Sequence, residues 1–276
     1  MNTRKFAVDV SWYPLCSRES CMSAIRILTD AAVVRSVERF FHRPELRSSL
    51  NLLHRRLPET AQMFITGGAL RNLIIERFHG HRPEIRDIDI FIDGLAPDFS
   101  IGGMLEDQQT ELTDLKGIRW HPQVSDLAFD LCRLMDFLVI REGHLPANLE
   151  NLLNGIDFTM NAVIFEPFQS RLIEKGCTRA VRHRVIDFNS RIIPDRYLIA
   201  YRILLMGYKI GFFFSEPVFQ YVRSHLDLDA LNHLKKLFAA KIGKRAANAI
   251  MAEYAALCRF PAYADYMNSR SNSSNP

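Results

Sequence analysis

No stretch of this chain approaches the uninterrupted apolar length of a membrane-spanning helix. The N-terminus, MNTRKFAVDVSWYP, is basic at its start but lacks the apolar core of a signal peptide. Cysteine is sparse: five residues (Cys16, Cys21, Cys132, Cys177, Cys258), odd in number and without paired zinc spacing. Such a set fits reduced thiols in a cytosol better than a disulfide framework. A dominant charge sign is missing as well. Thirty-five Lys and Arg against 31 Asp and Glu leave a net charge of +4, compatible with an anionic partner but not demanding one. No internal repeat is visible. These absences point to a cytoplasmic globular protein of one or two domains, with no membrane partner.

What is present centres on residues 64–93, FITGGALRNLIIERFHGHRPEIRDIDIFID. The apolar run Met63-Phe64-Ile65 breaks at Gly67-Gly68 and resumes as Ala69 to Ile75, which reads as strand, glycine turn and helix to about Phe78. A glycine pair at such a junction bares backbone N–H groups at a helix N-terminus, where phosphate binds. Arg71 falls in the first helical turn, within bidentate reach of a triphosphate. The next segment, Asp87 to Asp93, alternates. With a side-chain period of two, Asp87 and Asp89 share one face while Ile88, Ile90 and Ile92 share the other. Two carboxylates on one strand face can hold divalent cations through oxygen. Attack of a hydroxyl on an α-phosphate uses two metals, and often a third carboxylate from a neighbouring strand. Asp136, inside the β-prone segment Leu134 to Ile140, is the candidate for it; a further strand is expected near Leu127 to Leu134.

Around this block, Ser23 to Phe41 and Glu45 to Leu57 carry helical periodicity, and the cluster Arg47, Arg55, Arg56 reads as a solvated face. Leu149 to Leu153 is a short helix leading into Gly155-Ile156-Asp157-Phe158-Thr159-Met160-Asn161-Ala162. Beyond residue 168 the pattern is helical, and SRSNSSNP has the composition of a disordered end. Arg171, Lys175, Arg179, Arg182, His183, Arg184 and Arg191 form a basic run suited to RNA phosphates. No function is visible for Trp12 and Tyr13.

Taken together, Gly67-Gly68-Ala69-Leu70-Arg71-Asn72, Asp87-Ile88-Asp89 and Asp157-Phe158-Thr159-Met160-Asn161-Ala162 resemble the head domain of class II tRNA nucleotidyltransferases and bacterial poly(A) polymerases. These belong to the DNA polymerase β nucleotidyltransferase superfamily. The likeness runs over roughly residues 50 to 215, and D-F-T-x-N-A is its most specific element. It implies an α+β fold: a head with a small mixed sheet flanked by helices, then an all-helical neck-like domain. The corresponding boundaries are a helical extension at 1–45, a head at 46–168, a neck at 169–268 and a disordered tail at 269–276. By resemblance, Asp87 and Asp89 bind Mg²⁺ or Mn²⁺, and Gly67 and Gly68 hold the triphosphate of an NTP. Asp157 and Asn161 meet the nucleotide's sugar region, and Arg202 is the second arginine of the neck helix. The acceptor implied is an RNA 3′ hydroxyl.

The chain departs from the family pattern at several places. Asn72 replaces an aspartate, and Gly155 and Ile156 replace two arginines. In the neck helix, counted back from Ile210-Gly211-Phe212, Asp195, Arg196 and Ile199 stand where the family has Glu, Asp and Arg. Ile199 offers no donor to a base edge. Little sequence follows the neck, so synthesis of a full CCA end is not expected. Transfer to a protein or small molecule, and a non-catalytic nucleotide- or RNA-binding role, are the competing readings.

Overall fold

Alternating isoleucines place one strand at the centre of a sheet, and the rest of the first unit is laid around it. The structure, a computed structural model, describes residues 23–113, 117–190, 192 and 195–273, with side chains to residue 269. Trp12, Tyr13, Cys16, Cys21 and Arg191 lie outside the described residues. The chain forms two units, one of residues 23–182 and one that includes residues 183–273.

In the first unit, eight strands pair in the order β1-β8-β7-β2-β3-β6-β5-β4. They are β1 (Arg26–Ile27), β2 (Gln62–Thr66), β3 (Asp87–Asp93), β4 (Gln109–Leu112), β5 (Ile118–His121), β6 (Ala128–Arg133), β7 (Val163–Glu166) and β8 (Arg171–Glu174). Only β3 and β6 pair in parallel; the other pairs of this sheet are antiparallel, so it is mixed. Ile88, Ile90 and Ile92 are buried, and helix α3 (Gly68–His79) packs on β3, with α1 (Ala31–Phe41) against α3 and α2 (Pro44–Arg56) following α1. Asp30 caps α1 by accepting from the amides of Ala32 and Val33 (3.0 and 3.2 Å), so the helix predicted from Ser23 starts at Ala31. Residues 26 and 27 join the sheet instead, pairing with β8. The sheet therefore takes in two strands that the boundaries at 45/46 and 168/169 put outside the head.

Short helices α4 (Ile101–Met104), α5 (Leu138–Glu142), α6 (Leu149–Gly155) and α7 (Cys177–Arg182) complete this unit. The segment predicted as a strand over 134–140 is a 3₁₀ turn, Leu134–Asp136, followed by α5. Its β-prone side chains go into the core: Leu134 and Ile140 pack with Phe64, Leu152, Leu153 and Ile156. The strand is the earlier one, β6.

The second unit contains α8 (Arg196–Ile210), α9 (Glu216–Ser224), α10 (Leu228–Ile242), α11 (Lys244–Cys258) and α12 (Tyr263–Ser273). A short parallel pair, β9 (Val185–Ile186) with β10 (Phe213–Phe214), adds to the helices expected there. Asp195 caps α8, and Gly211 ends it in the left-handed region at φ 71°. Tyr266, 1% exposed, accepts the amide of Phe214 at 3.0 Å and anchors α12. That helix continues through Ser273, past the point where the tail was expected to lose order. Among the described residues, no helix is long and apolar enough to cross a membrane.

Candidate active site

Pairing register builds the site. Thr66 of β2 faces Asp89 of β3, Asp89 faces Asp130 of β6, Asp130 faces Arg119 of β5, and Arg119 faces Glu111 of β4. One cross-strand row thus reads Thr-Asp-Asp-Arg-Glu, and Asp87 lies two residues from Asp89 on the same face. Like charges directly opposite on neighbouring strands destabilise a sheet. An Asp89–Asp130 pair is therefore a place where a cation is at home.

Arg119 supplies one such charge. Its Nε and Nη2 donate to the two oxygens of Asp130, each at 2.7 Å, and Nη2 also reaches Oδ2 of Asp87 at 3.3 Å. Hydrogen bonding to Asp130 raises the guanidinium's pKa further, so Arg119 stays charged at every working pH. Among the described residues, no three acidic, His or Cys side chains are gathered around a single point. Asp130 gives both oxygens to Arg119, and bringing three carboxylates onto one ion means loosening that pair. The donor set itself, three carboxylates on one sheet face, fits a hard divalent cation.

The predicted third acid lies elsewhere. Asp136 ends the 3₁₀ turn after β6 and accepts from Nε of Arg133, three residues back, at 2.5 Å. Asp130, missed by sequence reasoning, sits inside the alternating run Phe129-Asp130-Leu131. Its alternation within a weakly predicted strand was the available signal.

The glycine turn closes against the same row. Gly67 has φ +79°, and a Cβ placed on it would overlap Oδ2 of Asp89 and stand 3.0 Å from its Cγ. Only glycine allows both that backbone and that approach. Gly67 is also the N-cap of α3 and provides no side-chain cap, so the first amides of a 12-residue helix face the site with the positive end of its dipole.

Beneath the turn runs a buried polar chain. Arg71, 8% exposed, donates from Nη1 to Oδ1 of Asn161 (2.8 Å) and from Nε to Oδ1 of Asn72 (3.0 Å). Asn72 donates onward to the carbonyl of Glu84 (2.9 Å), and Asn161 donates to Oδ1 of Asp157 (3.1 Å). Oδ1 of Asp157 also accepts the amide of Phe158 (2.8 Å). The hydroxyl of Thr66 donates to the carbonyl of Val163 at 2.8 Å, tying the end of β2 to the start of β7. The structure thus brings Gly67, Gly68, Arg71, Asp157 and Asn161 together beside Asp87 and Asp89. Arg71 buttresses the turn from below, its Nη2 lying 3.4 Å from where a Cβ of Gly68 would stand. Arg71→Met should leave Asn161 and Asn72 without their donor and cost about 3 kcal/mol, readable as a lowered denaturant midpoint. An unchanged midpoint would show that this chain of bonds carries no stability.

The missing arginines before Asp157 have a packing cause. A Cβ at Gly155 would come within 2.6 Å of the Phe137 ring, and Ile156 is 8% exposed within the apolar cluster. In the second unit, Ile199 is buried, Asp195 is occupied in capping, and Arg202 lies half-buried on α8. Two thiols of the first unit offer no competing chemistry: burial pushes Cys132 up to about 12 and raises Cys177 well above its ordinary value, so neither is a thiolate near neutrality.

A mixed sheet with an acidic row beside a glycine turn, followed by a helical unit, makes an α+β fold, and solved structures share it. The chain is similar to a CCA-adding enzyme solved with ATP, at 19% identity and TM-score 0.55, over 84% of this chain and 55% of that one. A Thermotoga maritima CCA-adding enzyme complexed with tRNA-CCA matches at 17% identity and TM-score 0.55, again over 84% and 55%. A CCA-adding enzyme in apo form II gives TM-score 0.57 at 16% identity, over 84% and 57%. The chain therefore spans little more than half the length of these proteins, and the likeness is one of fold. No protein-family model matches the sequence. No curated protein matches it either.

Proposed function

We propose that the chain is a metal-dependent nucleotidyltransferase, a divergent relative of the class II tRNA nucleotidyltransferases, that moves a nucleoside monophosphate from an NTP to an RNA 3′ hydroxyl. The observation that carries this reading is the closure of Gly67 onto Asp89, with Asp87 and Asp130 on the same sheet face. The amides that open α3 receive triphosphate oxygens. Arg71, held by Asn161 and Asn72, keeps that turn in place, and Asp157 with Asn161 borders the nucleotide's sugar. Asp87, Asp89 and Asp130 would hold Mg²⁺ or Mn²⁺. Such ions, when bound, activate the attacking hydroxyl and neutralise the departing pyrophosphate. The solved CCA-adding enzymes that share the fold, one with ATP and one with tRNA-CCA, support both the substrate and the RNA acceptor.

The test is transfer of label from [α-³²P]NTPs in Mg²⁺, offering RNA, protein and small-molecule acceptors side by side. Asp87→Ala combined with Asp89→Ala is expected to reduce incorporation into RNA to background. Undiminished incorporation by that double variant would exclude this mechanism, and label appearing only in protein would exclude the acceptor.

A further inference from the structure

In the first unit, arginines with exposed or half-buried side chains divide into two groups. Around the sheet they sit on carboxylates: Arg26 on Glu174, Arg86 on Glu84, Arg133 on Asp136, Arg141 on Glu142 and Arg171 on Glu166. Arg56 belongs here too, with Asp107 at 2.7 Å and the carbonyl of Met104 at 3.1 Å. On the helical side Arg82 reaches Glu76 of α3 at 3.6 Å, but a second group stands apart. Arg35, Arg39, Arg43, Arg47, Arg77 and Arg182 are all exposed, and none forms an ion pair with a described residue.

Their placement is ordered. Arg35 and Arg39 lie on α1 opposite the buried Val33 and Val37, Arg43 stands in the turn between the helices as the N-cap of α2, and Arg47 lies in the first turn of α2. Arg35 and Arg39 are a little more than one turn apart, about 6 Å of helix rise. The guanidinium of Arg43 lies over the Phe40 ring at 4.7 Å, and Arg82 reaches the same ring at 5.8 Å from the loop after α3. Arg182 lies over Phe78 at 4.8 Å. A ring nitrogen of His79 meets the carbonyl of Val181 at 2.8 Å, which joins the ends of α3 and α7. Three helix C-termini thus converge with their arginines outward. Capping of helix dipoles accounts for basic residues in last turns. It does not account for Arg35 and Arg47, which lie away from those ends. A guanidinium laid on an aromatic face is held in one orientation, its donor edge free for phosphate.

We infer that the outer face of α1 and α2, continued by the ends of α3 and α7, is a binding surface for the phosphodiester backbone of RNA. This deepens the proposed function by giving the acceptor a grip on the first unit. From Gly68 to His79, α3 spans roughly 18 Å, so the part of this surface at the end of α3 lies about that far from the glycine turn and suits the body of an acceptor, not its reacting end.

The experiment is fluorescence anisotropy with a labelled RNA hairpin bearing a single-stranded 3′ end, titrated in EDTA without NTP across a range of KCl. Because neither metal nor nucleotide is present, failure of the catalytic reading cannot affect the result. Converting Arg35, Arg39, Arg43 and Arg47 together to Gln is expected to weaken binding at least tenfold near 0.15 M salt and to lower the slope of log K against log[KCl] by about 3. The fourfold Lys variant should keep most of the slope. Arg86→Gln with Arg141→Gln, which removes two ion-paired charges, should change little. The altered side chains are exposed, save Arg141, which is half-buried, and thermal unfolding of each variant checks that the fold is kept. The inference is overturned if the Gln variant keeps wild-type affinity and slope, or if the paired-arginine control loses as much. It is equally overturned if the wild type binds no RNA while binding phosphatidylserine vesicles.

Discussion

Asp130→Asn is expected to lower nucleotidyl transfer by on the order of 10²–10³-fold, a loss of ~3–4 kcal/mol of transition-state stabilisation. Asp136→Asn is expected to stay within about threefold of wild type, a loss of no more than ~0.7 kcal/mol. The contrast follows from register. Asp130 stands directly beside Asp89 on the parallel neighbour strand, whereas Asp136 ends a turn and is engaged with Arg133. Single-turnover rates with labelled NTP measure both. Arg119 complicates the first variant, because it contacts Asp130 and Asp87 together and could settle on Asp87 once Asp130 is neutral. Adding Arg119→Gln separates the causes. Activity restored in the double variant would mean that Arg119 had masked Asp87; activity still absent means that a ligand has been lost. Equal defects for Asp130→Asn and Asp136→Asn would sink the assignment.

Gly67→Ala carries the other large effect. Its Cβ would overlap the Asp89 carboxylate, and its φ of +79° suits an L side chain poorly. The backbone penalty is about 1–2 kcal/mol, and the steric overlap adds roughly 1–3 kcal/mol unless Asp89 moves. If Asp89 moves, the acidic row is broken. Either way transfer should fall by on the order of 10²-fold, since displacing a group by even 1 Å can cost that much. Thermal unfolding in a double-mutant cycle with Asp89→Ala distinguishes the contributions. In the Asp89→Ala background the overlap is gone and only the backbone cost should remain, giving a coupling of at least ~1 kcal/mol. Additive effects would show that the turn and the carboxylate do not press on each other.

Local rules carried the reading of residues 64–93 a long way. Strand periodicity needs only neighbours along the chain, so the shared face of Asp87 and Asp89 was legible, and β3 shows it. The glycine break before a helix is equally local, and Gly67 adopts the backbone that such a break requires. At Leu134 to Ile140 the same rules misled. Residues with β propensity also fill cores, and these side chains pack against α6 and β7 from a 3₁₀ turn and a short helix. The arginine cluster at 47, 55 and 56 was legible only as composition. The structure divides it, giving Arg56 to Asp107 and leaving Arg47 exposed, with no ion pair to a described residue.

By itself, then, the sequence determined the two carboxylates on one strand and the glycine turn that precedes them, because each follows from spacing along a short segment. Tertiary structure alone decided that Asp130 completes the row, that Arg119 lies between Asp130 and Asp87, and that Asn161 holds Arg71. Those choices depend on which strands pair and in what register. Asp89 and Asp130 are 41 residues apart, Arg71 and Asn161 are 90 apart, and no periodicity within either segment specifies the other.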